Sequence, residues 1–123
     1  MSQLVPHLLL RTDQGVSEAA TMLRSAGYMV GKIDDDAIIE TLAGASHVDG
    51  VVIELPVLRA IALARRIELR YGRSIVMLII ASPAETVRRA LVSVPVLSPA
   101  QIADDLISAI DLAFVAQQLR ATG

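Results

Sequence analysis

The side chains of this chain that could take part in chemistry are few and unevenly chosen. Of 123 residues, 13 are Asp or Glu, 2 are His and none is Cys. All Lys and Arg side chains but one are Arg, and Lys32 is the exception. Zero cysteine excludes disulfides, thiolate catalysis and cysteine-ligated metal clusters. Glu54 ends the run Asp49–Gly50–Val51–Val52–Ile53–Glu54–Leu55–Pro56. A carboxylate there stands at the C-terminal end of a buried strand, where an open α/β sheet places its site. Asp34–Asp35–Asp36 invites a cation, but no EF-hand spacing surrounds it. Helix N-termini favour acids, so the triplet reads as a cap and no metal site is expected. His7 and His47 stand apart in the sequence, with no Ser or carboxylate spaced for a triad. Gly15 is alone between the first strand and the first helix, which argues against a phosphate loop and so against a dinucleotide or P-loop enzyme.

The elements that must position these residues alternate. His7–Leu8–Leu9–Leu10 reads as a first strand. Asp13 to Ala26 has helical spacing, with Val16, Ala19, Ala20, Met22, Leu23 and Ala26 on one face. Asp13 or Ser17 can cap its start and Gly27 its end. Tyr28–Met29–Val30 begins a second strand, and Asp34 to Ala45 a second helix with Ile38, Ile39 and Leu42 inward. Val51–Val52–Ile53 is a third strand, followed by a helix from Val57 to Tyr71 stopped by Gly72. Ile75 to Ile80 is a fourth strand, Pro83 to Leu91 a fourth helix, and Val94–Pro95–Val96–Leu97 an edge strand marked by its proline. Ala100 to Leu119 closes the chain as a long helix, with Ser98 as N-cap and Pro99 at its first position. The pattern is (βα)5. Continuous apolar strands between helices predict an α/β fold, a parallel five-stranded sheet in a three-layer α/β/α sandwich.

Composition agrees. The chain is 54% apolar and only 2% aromatic, with a net charge of -2. The length fits one domain over residues 1–123. The charge balance argues against wholesale binding to nucleic acid or an anionic membrane. Met1 to Pro6 has no secretory pattern, and the longest apolar run, Ile75 to Ala81, is far short of the ~20 residues of a membrane span. A cytoplasmic domain is expected.

In element order the chain resembles the receiver domain, the CheY-like module of response regulators. The resemblance rests on Ala26–Gly27–Tyr28–Met29–Val30, on the segment Asp49 to Pro56, and on Leu97–Ser98–Pro99, where the family has Lys-Pro. It implies a flavodoxin-like strand order 2-1-3-4-5. It also implies that Glu54 occupies the place of the phosphoryl-accepting Asp. Counting back from Gly27–Tyr28 without gaps, the family's acidic metal-binding pair falls on Leu10 and Arg11, with Asp13 the nearest acid. The Ser/Thr after the fourth strand falls on Ile80, with Ser82 nearby, and the lysine after the fifth strand falls on Ser98. Mg2+ prefers a near-octahedral set of oxygens including carboxylates, which Leu10 and Arg11 do not supply. Lys32 follows the second strand and is not expected to reach the site. Without a cation nothing neutralises a transferring phosphoryl group. The expectation is a degenerate pseudo-receiver with no cofactor and no enzymatic activity. In it an Arg11–Glu54 ion pair replaces the metal and holds one state. The plainer alternative leaves Glu54 exposed to water and Arg11 solvated.

Function then falls to surfaces. On the last helix Ile102, Leu106, Ile110 and Phe114 form a stripe toward the sheet, and Leu112, Val115, Ala116 and Leu119 widen it. Such width predicts a partner face made by Ile102, Leu106, Ile110, Leu112, Val115 and Leu119. The resemblance implies a protein partner (a kinase, an output domain or a regulator) or a second copy. Arg59, Arg65, Arg66, Arg70, Arg73, Arg88 and Arg89 read as a solvated face paired with Glu68 and other acids. An acidic partner, a phosphorylated ligand or weak nucleic-acid contact are the alternatives, without interleaved aromatics or a helix-turn-helix to support the last. Two other readings of the whole chain stay open: a ligand-binding or enzymatic flavodoxin-like domain, and a weakly phosphorylated regulator using Asp13.

Overall fold

A computed structural model describes residues 5–72 and 74–122, with the side chains of all of these except 121 and 122. Residues 1–4 of the N-terminal stretch and Arg73 of the arginine cluster lie outside the described residues. The elements are β1 (His7–Thr12), α1 (Glu18–Ser25), β2 (Met29–Ile33), α2 (Asp36–Leu42), β3 (Gly50–Glu54) and α3 (Val57–Tyr71). They continue with β4 (Val76–Ile80), α4 (Ala84–Ala90), β5 (Val96–Leu97), a 3-10 turn at Pro99–Gln101 and α5 (Ile102–Thr122). All strand pairings are parallel, in the order β2-β1-β3-β4-β5, as the sequence and its resemblance led one to expect.

Strand alternation builds the three layers. Leu8, Leu10, Val52, Leu78 and Ile80 face α1 and α5, where they pack on Leu23, Ile102, Leu106 and Ile110. Leu9, Val51, Ile53, Met77 and Ile79 face the other way, onto Ile39 of α2, Ile61, Leu63 and Ile67 of α3, and Val87 of α4. The abundance of aliphatic residues is thereby explained: the central strands β3 and β4 are buried along their whole length.

Several boundaries differ from expectation. α1 begins only at Glu18, because Ser17 is the cap, its hydroxyl accepting from Ala20 N–H at 3.2 Å. Val16, predicted inward, is exposed in the connection before it. The end of α1 is a Schellman motif as predicted from Gly27. Tyr28 N–H donates to Leu23 O, Gly27 N–H donates to Arg24 O, and Gly27 has a φ of 100°. α2 is shorter than expected. Its two turns bury only Ile39, and Ile38 and Leu42 point to solvent. β5 is reduced to Val96–Leu97, with Pro95 just outside it. Ser98 caps the 3-10 turn that leads into α5, and Gln101 Oε1 accepts from its N–H at 2.9 Å. α3 has the predicted limits. No helix among the described residues is long and apolar enough to cross a membrane.

Candidate functional site

The C-terminal ends of β1 and β3 meet in register, Thr12 opposite Glu54 and Arg11 opposite Ile53. Alternation sends Thr12 and Glu54 to the α1 side of the sheet and Arg11 to the α2–α3 side. The expected Arg11–Glu54 pair therefore does not form, because the two side chains leave the sheet on opposite faces. The plainer alternative fails too, since both residues are buried.

Glu54 is instead held by hydroxyls. Thr12 Oγ1 donates to its Oε1 at 2.8 Å and Ser17 Oγ donates to the same oxygen at 2.9 Å. Thr12 Oγ1 in turn accepts from Gln14 N–H at 3.1 Å, so the carboxylate organises the whole β1–α1 connection. Glu54→Gln preserves this acceptor and loses only the charge assistance, an expected cost of about 1 kcal/mol in urea unfolding. Glu54→Leu strands two buried hydroxyls and should cost about 2–3 kcal/mol. Equal costs would show that the hydroxyl bonds contribute nothing.

Arg11 carries the larger surprise. Its side chain is 3% exposed, and its Nε donates to Asp36 Oδ1 at 2.6 Å and its Nη1 to Asp13 Oδ1 at 2.7 Å. Arg59 Nη1 takes the second oxygen of Asp13 at 2.7 Å, while Arg66 pairs with Asp36 at 3.6 Å and Glu40 at 3.3 Å. Burial works against the Arg11 charge, but the bonds from Asp13 and Asp36 outweigh it and hold its pKa above the ordinary arginine value. The hydrogen bonds from Arg11 and then Arg59 hold the Asp13 carboxyl below the usual carboxylate range. Asp36 is thus a counterion as well as the first residue of α2. The cap is Asp35, whose Oδ1 accepts from Ile38 N–H at 3.0 Å.

The other predicted pocket residues separate. Leu10 and Ile80 are core residues on the α1–α5 side, not pocket residues. The gap-free count from Gly27–Tyr28 puts the acidic pair on Leu10 and Arg11, although strand β1 runs on to Thr12 and α1 begins only after Ser17. Ser82 lies in the β4–α4 connection before a cis Pro83. Ser98 serves as a helix cap. Lys32, expected to stay away, does reach this end of the sheet: its Nζ donates to Gly15 O at 2.7 Å. It lines a polar cleft of about 320 Å3 with Thr12, Asp13, Gln14, Ile33 and Asp34. Thr12, Ser17, Asp36 and Arg59 were missed as site residues. The period-two pattern that assigns Leu8 and Leu10 to one face would have placed Thr12 beside Glu54.

On α5, the expected partner face splits in two. Ile102, Leu106 and Ile110 are buried against the sheet and cannot belong to it. Leu112, Val115 and Leu119 remain 68%, 50% and 68% exposed. Leu112 and Ala116 also form one wall of an apolar groove of about 300 Å3, with Ile75, Met77, Val94 and Pro95 opposite. The arginines pair with Asp13, Asp36, Glu40 and Glu85, and no ion pair with Glu68 is found among the described residues. Arg70 lies over the Tyr71 ring at 5.2 Å. His7 and His47, expected to be isolated, are neighbours with ring centroids 5.2 Å apart. No group of three or more His, Cys, Asp or Glu among the described residues could hold a metal ion.

No protein-family model matches the chain, and no curated protein does. Solved structures do. The signal receiver domain of an HD domain-containing protein from Pseudomonas fluorescens is 19% identical, with a TM-score of 0.81, 99% of this chain and 96% of that one covered. A response regulator receiver protein from Sinorhizobium medicae is 20% identical, with a TM-score of 0.74 over 92% and 97% of the two chains. A de novo designed Rossmann 2x3 fold protein, 19% identical, reaches a TM-score of 0.59 over 96% and 91%. The natural receivers thus superpose better than an idealised sheet of the same class. The fold of this chain is that of the signal receiver domain.

Proposed function

We propose that this chain is a phosphorylation-independent, receiver-type signalling module of a bacterial two-component-type system, acting in the cytoplasm as one non-enzymatic domain through protein–protein contact. The observation that carries the reading is the state of Asp13. It is the one acid at the end of β1, and both its oxygens are engaged, one by Arg11 and one by Arg59. The Mg2+ that receiver domains use does not fit this donor set. Leu10 and Arg11 are not ligands, Asp13 is neutralised by guanidinium groups, and Glu54 Oε1 is taken by two hydroxyls. Lys32 donates to Gly15 O from the β2 side of the cleft, and Ser98, at the place of the family's lysine, carries no cation. This weighs equally against a weakly phosphorylated regulator built on Asp13. Incubation with a small phosphodonor and Mg2+, followed by intact-mass measurement, is expected to show no adduct. An acid-labile gain of one phosphoryl group overturns the reading.

Contact is assigned to α5. Leu112 lines the apolar groove with Val94 and Pro95, and Val115 and Leu119 are further exposed apolar residues of the same helix. A protein partner (a kinase, an output domain or a regulator) or a second copy is the occupant of this face. The polar cleft at Lys32 is the place the ligand-binding alternative would use.

A further inference from the structure

The N-terminal edge of the sheet, opposite the Glu54 end, brings together two side chains that the proposed function does not use. His7 opens β1, and His47 lies in the connection between α2 and β3. Their rings sit with centroids 5.2 Å apart and planes tilted by 33°. The backbone fixes this approach. His7 N–H donates to Asp49 Oδ2 at 2.8 Å, and Asp49 N–H donates to His7 O at 2.8 Å. Val48 N–H closes a turn onto Ala45 O at 3.0 Å, which sets the path of the chain through His47. His7 is half-buried and His47 is exposed. Among the described residues, neither imidazole is committed to a hydrogen bond or an ion pair.

We propose that His7 and His47 form a two-imidazole site for a divalent first-row transition ion of the Zn2+, Ni2+ and Cu2+ class, with water completing the coordination. Imidazole nitrogen suits these ions, and the hard cations Mg2+ and Ca2+ prefer oxygen sets that this edge does not offer. With metal–nitrogen bonds of about 2.0–2.1 Å and a tetrahedral angle, two imidazoles on one ion have centroids roughly 5 Å apart. The observed separation meets that without moving the backbone. Asp49 does not join as a ligand, since its carboxylate faces the His7 amide, so the site has two protein ligands. It is an exchangeable site and not a structural zinc centre, which needs four. A bound ion would clasp the start of β1 to the α2–β3 connection and stabilise the fold by mass action.

The test uses the full chain stripped with a chelator and titrated with Zn2+ alone. Calorimetry should show one saturable equivalent, and the ring signals of His7 and His47 should shift together in NMR spectra. His47→Ala, at an exposed position, should keep the urea midpoint of the metal-free protein. It should weaken binding by more than the roughly 10–100-fold that loss of a mere supporting contact costs. His7→Gln, which keeps the backbone bonds, should fall to the same residual affinity, because either change leaves a single imidazole. Absence of saturable binding, or affinity unchanged in His47→Ala, overturns the proposal. Neither outcome bears on phosphorylation or on the α5 face.

Discussion

Replacing Asp13 and Asp36 together by Asn is expected to destabilise the protein by about 3–5 kcal/mol, the cost of leaving a buried charge without a partner. Each single replacement should cost far less than the pair, so the two changes are strongly non-additive. The reason is the asymmetry of the cluster. Arg11 is 3% exposed, whereas Asp13 and Asp36 are 49% and 31% exposed. Losing one acid leaves Arg11 with the other. Losing both leaves a guanidinium in the apolar layer between the sheet and α2, and a guanidinium cannot escape by deprotonation. A double-mutant cycle in urea measures the coupling. Arg11→Met placed in the double-Asn background should recover most of the loss, since the uncompensated charge is then gone. If the double variant costs no more than the sum of the singles, the cluster is surface decoration. Titration carries the same signature. The pKa of Asp13 lies below its unfolded value, so its contribution is complete above the ordinary carboxylate range and is lost as pH falls below it.

Leu106→Ala is expected to cost about 3 kcal/mol and to lower Tm by roughly 10 °C, while Leu112→Ala changes Tm by little more than the measurement error. Both residues are leucines on α5. Leu106 is fully buried among Leu8, Leu10, Leu78 and Ile80, and its loss leaves a cavity that the rigid parallel sheet cannot close. Leu112 stands at the groove, and its loss removes contact surface alone. The association readout should therefore invert. In concentration-dependent light scattering or partner pull-down, Leu112→Ala should weaken complex formation and Leu106→Ala, at a temperature where it is folded, should not. A Leu112→Ala protein that associates as the parent does would remove α5 from the contact surface.

Much of this architecture was legible before any coordinates. The continuous apolar runs at residues 51–53 and 75–80 could only be strands covered on both faces, and the periodic stretch from Val57 to Tyr71 matches α3 residue for residue. Gly27 and Ser98 announced their turns because a left-handed φ and a helix cap are local demands. The site was half legible. The place of Glu54 at the C-terminal end of a buried strand follows from the sequence alone. Its wiring does not, because a gap-free count from Gly27–Tyr28 takes no account of where β1 ends, at Thr12. Leu10 was then read as pocket when it is core, and Arg11 was given the wrong counterion.

The sequence by itself determined the fold class and, through its resemblance, the strand order, since these depend on periodicity and on the order of the elements. Only the tertiary structure decided who pairs with whom. Arg11 meets Asp36 from α2 and Asp13 from its own loop, Glu54 meets Thr12 and Ser17, Lys32 reaches Gly15, and His7 meets His47. Each of these partnerships is set by the face on which a strand presents its side chains, and one residue of register moves a side chain to the opposite side of the sheet. Composition cannot encode that parity. The arginines are present in the composition, and the fold gives Arg11, Arg59 and Arg66 their counterions.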